Sequence, residues 1–170
     1  MGRMVAGAVT AAEGMVLAAA ADPSAPGSEV SGVTLVADVG DLLNAGVDVV
    51  VDFTVAEASR TNLPVLAAAG VHVVVGTSGL GDDDLDNLRA AFTSSNCLVA
   101  PNFAIGAVLM MRFAEMAAPW FETAEIVEVH HDGKVDAPSG TATATAEPVS
   151  YTHLRAHETS LHLVCRLLLE

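Results

Sequence analysis

Three basic side chains stand close together late in an otherwise acidic chain. His130 and His131 are adjacent, and Lys134, the only lysine, follows three residues later, although the net charge is −14. An imidazole exchanges protons near neutral pH. A lysine beside other cationic groups has a lowered pKa, which helps it to donate a proton. The cluster therefore predicts a site that protonates a bound molecule.

The residues that follow predict a binding site for carboxylates. The sequence Ala-Pro-Ser-Gly-Thr, residues 137–141, is a turn that leads into a predicted helix over residues 141–147. Free N–H groups at the start of a helix bind carboxylates well. Together, the basic cluster and the turn predict a ligand that is a small dianion.

Simpler explanations exist for the same residues. His130 and His131 could be ordinary solvated polar residues at a strand end. A zinc site would need a third His or Cys nearby, and none is present, so we expect no metal. Ser139 lacks the G-x-S-x-G context of a nucleophile, and we assign it to the turn. His72 lies inside a predicted strand and is interpreted as structural.

The elements that must position this site alternate between strands and helices. This alternation predicts an α/β fold with a parallel sheet and crossover helices. Valine-rich strands predict that both faces of the sheet are covered. The predicted strands cover residues 15–20, 33–38, 47–54, 71–80, 96–104 and 123–132, and the predicted helices cover residues 4–12, 41–46, 56–70, 81–95, 105–119 and 141–147.

The strand ends have the composition of a nucleotide-binding crevice, which in such sheets lies beyond the carboxyl ends of the strands. These ends are Asp22, "DFT" at 52–54, "GTSG" at 76–79 and "PNF" at 101–103. A dinucleotide-binding domain opens with a strand and a G-x-G-x-x-G loop, and an acidic residue follows about 20 residues later. The chain instead begins in its first predicted helix, with Gly2 as the one glycine of that loop. The sequence therefore predicts a Rossmann-type domain whose first strand is missing.

The overall composition excludes several classes of partner. The acidic balance argues against nucleic acid and against an anionic membrane surface. Cys97 and Cys165 form neither a disulfide framework nor a metal-binding spacing, which fits a reducing, cytoplasmic compartment. The N-terminal apolar run mimics a signal peptide, but Glu13 and Gly14 interrupt it.

The stretch "EVHHDGKVDAPSGTA", residues 128–142, closely resembles the E-x-HH-x-x-K-x-DAPSGTA signature of the dihydrodipicolinate reductase family. The segments "VVDFT", "VVGTSGL" and "APNFAIGAVLM" resemble the strand ends of that family, in the same order. The resemblance covers about residues 2–147, and the histidine-lysine block is its most specific part.

The resemblance implies a reaction: a nicotinamide cofactor, NADH or NADPH, reduces 4-hydroxy-tetrahydrodipicolinate in the diaminopimelate route to lysine. By resemblance, His130 is the catalytic proton donor and acceptor, and Lys134 is a proton donor. His131 matches a substrate-binding position, as do Gly140 and Thr141 of the turn. The implied cofactor contacts are Gly2, Asp22, Gly76, Thr77, Ser78, Ala100, Pro101, Asn102 and Phe103.

The resemblance also implies a domain plan. Residues 1–104 correspond to the dinucleotide-binding domain, and residues 105–147 correspond to the start of an α/β substrate domain, whose sheet builds a homotetramer in intact members. The loop after Asp22 has no arginine to meet a 2′-phosphate, which favours NADH. We expect exposed apolar surface where the rest of the substrate domain would pack.

The composition changes at Pro148. Residues 148–170 resemble a translated sequencing-library adapter in a single reading frame, and we interpret them as a non-native tail whose histidines and Cys165 have no chemical role. Two alternatives remain for the chain as a whole. One is a catalytically dead nucleotide-binding fragment, and the other is a related amino-acid-pathway dehydrogenase, although such enzymes lack the histidine-lysine block.

Overall fold

The computed structural model describes residues 1–100, 102–130, 138–156 and 164–169, with side chains described up to residue 151. The chain divides into two compact units, Met1–Ala100 and Pro101–Glu170. We call them the first and the second unit. The helices are α1 Gly2–Ala11, α2 Val39–Asn44, α3 Ala56–Ala68, α4 Asp82–Ala91, α5 Ile105–Ala117 and α6 Gly140–Ala156, with a short 3-10 helix at Ala118–Trp120. The strands are β1 Ala20–Ala21, β2 Glu29–Val30, β3 Val33–Val36, β4 Val49–Asp52, β5 His72–Val75, β6 Cys97–Val99, β7 Glu125–His130 and β8 Val164–Leu169.

The main sheet of the first unit consists of β4, β5 and β6, all parallel, with β5 in the middle. The alternation of side chains places Val73 and Val75 of β5 on one face, where both are buried. Leu63 and Leu66 of α3, with Leu88 of α4, complete this core. The crossover helices therefore cover this face, as parallel strand pairs require.

The prediction that both faces of the sheet are covered is wrong for the described residues. Val49 and Val51 of β4 and Leu98 of β6 are all exposed. The register pairs Val49 with His72 and Val51 with Val74, so these side chains share the face opposite the core. The valine-rich composition did not reveal this difference because valine forms strands on either kind of face.

A smaller sheet orders β1, β3 and β2. β1 runs parallel to β3, whereas β2 and β3 form an antiparallel hairpin around Ser31 and Gly32, which both have positive φ. Such a two-residue turn matches the twist of the strands that it joins. The sequence predicts no strand at residues 29–30 and predicts a first strand that begins at Met15. The structure has strand only at Ala20–Ala21 there.

In the second unit, α5 and the 3-10 helix pack against α6, and α6 packs beside β7. The burial of β7 alternates strictly, so Ile126, Glu128 and His130 share the more buried face, and Val127 and Val129 are exposed on the other. None of the residues of α5 is buried, and Met110, Phe113 and Met116 are among its exposed apolar side chains.

Helix α6 continues through Pro148 to Ala156, beyond the predicted end at Glu147. Val149 is buried within it, and the backbone of β8 pairs in parallel with β7 from Glu125 to His130. The described residues after Pro148, 149–156 and 164–169, therefore have regular structure. This observation does not test whether its sequence derives from an adapter, and that interpretation stays a prediction.

Candidate active site

A buried carboxylate organises the strand ends of the first unit. Asp52, the last residue of β4, is 4% exposed. Its Oδ1 accepts hydrogen bonds from the Thr54 backbone N–H at 2.9 Å and from the Thr77 hydroxyl at 3.2 Å. Its Oδ2 accepts one from the Ser59 hydroxyl at 2.7 Å. Buried carboxylates need such partners, and here the partners come from the β4 end, the β5 end and α3. We call these four residues the Asp52 node.

The glycine of the predicted nicotinamide loop lies against an aromatic ring. Gly76 follows β5, and its N–H donates to the Asp52 carbonyl at 2.8 Å. A Cβ added at Gly76 would overlap the ring of Phe53. Only glycine therefore allows Phe53 to pack so closely here, which explains the residue type at this position. Thr77 is fixed by the Asp52 node, and Ser78 follows it.

Asp22 stands directly after β1, and its N–H donates to the Val36 carbonyl. Its Oδ1 accepts hydrogen bonds from the backbone N–H of Ser24 at 2.9 Å and from the Ser24 hydroxyl at 2.5 Å. These bonds lower the pKa of Asp22, and the charge of Arg3 contributes in the same direction. Asp22 is therefore ionised at neutral pH, and its second oxygen, Oδ2, accepts no hydrogen bond within the described part of the chain.

Gly2 is the first residue of α1, so the positive end of this helix lies at the predicted glycine loop. Ala100 follows β6, and its N–H donates to the Val75 carbonyl at 3.1 Å. Within the first unit, the predicted cofactor residues thus lie at a helix start and at the carboxyl ends of β1, β5 and β6.

Another carboxylate organises the site of the second unit. Glu128 of β7 accepts hydrogen bonds from the backbone N–H of Ser139, at 2.9 Å to Oε1 and 3.3 Å to Oε2. The same Oε2 lies 3.3 Å from Nε2 of His130. We call Glu128, His130 and Ser139 the Glu128 node. It connects the predicted catalytic imidazole with the predicted carboxylate-binding turn.

Ser139 caps helix α6. Its hydroxyl accepts a hydrogen bond from the Ala142 N–H at 3.1 Å, and its carbonyl accepts one from the Thr143 N–H at 2.9 Å. This confirms that Ser139 serves the turn. Among the described residues, the N–H groups of Gly140 and Thr141 have no hydrogen-bond acceptor, as expected at a helix start. They are the donors that a carboxylate would use.

Asn102 lies with the second unit, although the sequence assigned it to the cofactor. Its side-chain amide donates to the Thr141 hydroxyl at 3.0 Å, and its Oδ1 accepts from the Ala104 N–H at 2.8 Å. The structure therefore joins Asn102 to a predicted substrate residue. Phe103 is partly exposed next to it.

Three of the predicted site residues, Pro101, His131 and Lys134, lie outside the described residues. Two acids that are not among the predicted site residues, Asp52 and Glu128, organise the described hydrogen bonds of the two units. Each lies in a quoted motif, "VVDFT" or "EVHH", and each is an acid on the same strand face as buried or functional neighbours. That periodicity indicates which strand face each acid lies on, but the hydrogen-bond partners of each acid lie on other segments and do not follow from it.

The apolar cavity of the second unit does not belong to this chemistry. It has a volume of about 190 Å³ and is lined by α5, the 3-10 helix, β7 and α6, including Phe121, Ile126 and Val149. Its lining is almost entirely apolar. Over the described ranges, the side chains form no His, Cys, Asp and Glu group that could hold a metal ion.

The donor set of the first unit suits a dinucleotide. The start of α1 offers backbone N–H groups to phosphates, and the ionised Asp22 offers a free acceptor to ribose hydroxyls. Gly76 and Thr77 offer a glycine-containing strand end held in place by the Asp52 node. The residues therefore fit a nicotinamide dinucleotide.

A parallel sheet with crossover helices and polar strand ends defines an α/β protein with a Rossmann-type domain. The chain belongs to the dihydrodipicolinate reductase family. The model described as "Dihydrodipicolinate reductase, N-terminus" matches residues 1–103, and the one described as "Dihydrodipicolinate reductase, C-terminus" matches residues 106–166. Membership implies a pyridine nucleotide cofactor.

Individual relatives agree with this assignment. The 4-hydroxy-tetrahydrodipicolinate reductase of Cutibacterium acnes is 46% identical over 153 residues, which cover 88% of this chain and 56% of that protein. That of Thermobifida fusca is 53% identical over 113 residues, 65% of this chain and 45% of that protein. The chain spans about half the length of the curated relatives it matches.

A solved structure is similar over nearly the whole chain. It is described as a dipicolinate-bound dihydrodipicolinate reductase from Paenisporosarcina sp. TG-14. It has a TM-score of 0.74 and 28% sequence identity, and the match covers 99% of this chain and 75% of that one. None of the helices in the described part of this chain is long and apolar enough to span a membrane.

Proposed function

We propose that this chain takes part in the NAD(P)H-dependent reduction of 4-hydroxy-tetrahydrodipicolinate to tetrahydrodipicolinate, in the cytoplasm. The observation that supports this most directly is the Glu128 node. It places an imidazole and the start of helix α6 on one carboxylate, so a proton-exchanging group and a carboxylate-binding turn are held together. The family match argues against the related dehydrogenases that lack the histidine-lysine block.

The second unit would bind and protonate the substrate. The N–H groups of Gly140 and Thr141 would hold a substrate carboxylate, and Asn102 would orient the Thr141 hydroxyl through their 3.0 Å hydrogen bond. His130 would exchange a proton with the substrate. On the resemblance alone, we propose that His131 helps to bind the substrate and that Lys134 donates a proton to it.

The first unit would hold the cofactor. A bound reduced nicotinamide would supply the hydride. Gly2 would contact the phosphates, and Asp22 would accept from the ribose hydroxyls. Gly76, Thr77, Ser78 and Ala100 would contact the rest of the dinucleotide. The negative charge of Asp22 disfavours a 2′-phosphate, so we propose NADH rather than NADPH, and a homotetramer as the assembled form.

Turnover tests this proposal. Oxidation of NADH would be followed in the presence of the imine substrate, using the chain and a version extended at both ends to the length of its relatives. We expect His130→Ala to lower kcat by about 10²–10⁴-fold, the usual contribution of general acid–base catalysis. His72→Ala is the matched control, because His72 contacts Asn96 at the far end of the first unit's main sheet.

Two outcomes would overturn the proposal. If the extended protein binds NADH but never reduces the imine, the chain belongs with nucleotide-binding proteins that lack catalysis. If His130→Ala turns over as fast as His72→Ala, the proton role of His130 is wrong. Comparing the dissociation constants of NADH and NADPH tests the cofactor preference separately.

A further inference from the structure

Among the described residues of the second unit, Glu128 is the one whose side chain contacts both His130 and the start of α6. Its side chain is only 9% exposed, and it shares its strand face with His130. Both of its oxygens accept a hydrogen bond from the Ser139 N–H, and Oε2 also lies within hydrogen-bond distance of His130 Nε2. A nearly buried carboxylate with these partners is held in one place, because a change of side-chain rotamer would break its hydrogen bonds to both of them.

The protonation state of Glu128 determines which of the two groups donates the hydrogen bond between Glu128 and His130. Removal from water raises its pKa, but the hydrogen bonds from Ser139, with a smaller contribution from His130, outweigh this, so the net pKa lies below its ordinary value. Glu128 is therefore ionised at neutral pH. An ionised carboxylate can only accept hydrogen bonds, so the hydrogen in its contact with His130 belongs to Nε2.

We propose that Glu128 is a positioning residue that fixes the neutral His130 as its Nε2–H tautomer. The two ring nitrogens of a histidine have distinct roles, which the hydrogen bond of one of them sets. With Nε2 donating to Glu128, Nδ1 is the atom that takes up and releases a proton. This last step rests on the proposed function, in which His130 exchanges a proton with the substrate.

The same carboxylate also fixes the turn. Because Glu128 holds the Ser139 N–H, it determines where the next two N–H groups, of Gly140 and Thr141, are placed. Substrate binding and proton exchange therefore both depend on the Glu128 side chain. A substitution that keeps the contact with Ser139 but changes the contact with His130 can separate these two roles.

The substitution Glu128→Gln separates them. A glutamine of nearly the same shape keeps a carbonyl oxygen for the Ser139 N–H, but it turns an NH₂ group towards His130. Nε2 must then accept, so the variant favours the Nδ1–H tautomer. Glu125→Gln is the matched control, because Glu125 lies on the opposite face of the same strand.

The test is ¹⁵N NMR on the chain labelled at histidine nitrogen, above the pH at which the ring is charged, with His130 assigned by its loss in His130→Asn. We expect a protonated Nε2 and an unprotonated Nδ1 in the unsubstituted chain and in Glu125→Gln, and the reverse in Glu128→Gln. An Nδ1–H tautomer in the unsubstituted chain would overturn the proposal, whether or not any variant folds. An unchanged tautomer in Glu128→Gln would overturn it as well.

Kinetics in the extended protein provide a readout that a purely structural role would not change in the same way. Because the turn is retained, we expect Glu128→Gln to lower kcat about a hundredfold, within the range of general acid–base catalysis, with a much smaller effect on the KM of the imine. A change in KM alone would count against the tautomer role. Absence of turnover in every variant would overturn the proposed function but leave the NMR result standing.

Discussion

Each unit has a carboxylate near the carboxyl end of a strand, and each carboxylate holds the segment that follows. Asp52 binds the Thr54 N–H and the Ser59 hydroxyl, at the start of α3. Glu128 binds the Ser139 N–H, at the start of α6. In both units, the side chain of an acid on a strand thus fixes the start of the helix that follows that strand.

The two carboxylates differ in their remaining partner. Asp52 accepts from the Thr77 hydroxyl, whereas Glu128 faces the imidazole of His130. Imidazoles as a class exchange protons under conditions in which hydroxyls do not. The Asp52 node therefore fixes geometry only. The Glu128 node fixes geometry and, in our proposal, the position of a proton. The difference shows that the partner, more than the carboxylate, decides whether such a node is structural or chemical.

The largest expected effect is on the structural side of this comparison. Asp52→Ala removes the carboxylate that accepts from the Ser59 and Thr77 hydroxyls and from the Thr54 N–H, and leaves these groups only their weaker contacts with one another. This loss should cost about 3 kcal/mol. We expect amide exchange at Val73, Val74 and Val75 of β5 to accelerate about a hundredfold. Amides of the second unit report on a separate unit and should change little.

Two further variants make this test specific. Asp48→Ala removes an exposed acid near the start of β4 and should change exchange by less than about threefold, since surface substitutions usually stay within 0.5 kcal/mol. Asp52→Asn keeps one acceptor oxygen and should recover much of the loss. If Asp52→Ala were as mild as Asp48→Ala, the node would not support the β5 end.

The sequence could predict elements whose signals are local. The valine-rich strands β4 and β5 and the apolar helix α5 each follow from neighbouring residues, so their types were predicted correctly. The Asp52 node could not be predicted, because it depends on the register that pairs Asp52 with Val75 and on the packing of α3. Neither is contained in a single segment.

The errors have the same origin. Coverage of Val49 and Val51 depends on which helices pack on which face, and β2 is a two-residue strand that exists only because β3 pairs with it. The helix predicted over residues 41–46 begins earlier, at Val39, and the Asp38 side chain caps it by accepting the Asp41 N–H. Helix α6 crosses Pro148, where composition predicted an end.

A smaller effect is expected at the start of α6. Ser139→Ala removes the hydroxyl that caps the Ala142 N–H but keeps the backbone N–H that Glu128 binds. Loss of such a cap costs about 1 kcal/mol. We expect amide exchange of Ala142 to accelerate several-fold while the His130 tautomer stays unchanged. Thr143→Ala removes an exposed hydroxyl from the same turn and serves as the control. A changed tautomer in Ser139→Ala would show that the cap, rather than Glu128, positions the imidazole.

The smallest expected effect concerns a third carboxylate, Asp84, whose main partner is a charged side chain at the surface. Asp84, at the start of α4, accepts hydrogen bonds from Arg60 Nε at 2.8 Å and Nη2 at 2.9 Å, and from the Gly81 N–H at 2.9 Å. The hydrogen bonds from Arg60, followed by the one from Gly81, lower its pKa to about 2. This partner does not follow from the local sequence, because Arg60 lies on α3 and Asp84 lies on α4.

Removing Arg60 should raise the pKa of Asp84. In Arg60→Met we expect it to move from about 2 towards the ordinary value of 3.8, as measured by NMR titration of the carboxyl carbon. A lowered folded pKa stabilises the fold above the unfolded value, and this contribution is lost as the pH falls through about 2. Arg89→Met removes the partner of Asp86 and should leave Asp84 unchanged. If the pKa of Asp84 stayed low in Arg60→Met, the Gly81 N–H and the helix start would be sufficient to hold the charge. Asp84 would then depend mainly on a backbone N–H, as Glu128 depends on the N–H of Ser139. The side-chain partner would in that case matter less for Asp84 than the short hydrogen bonds from Arg60 indicate.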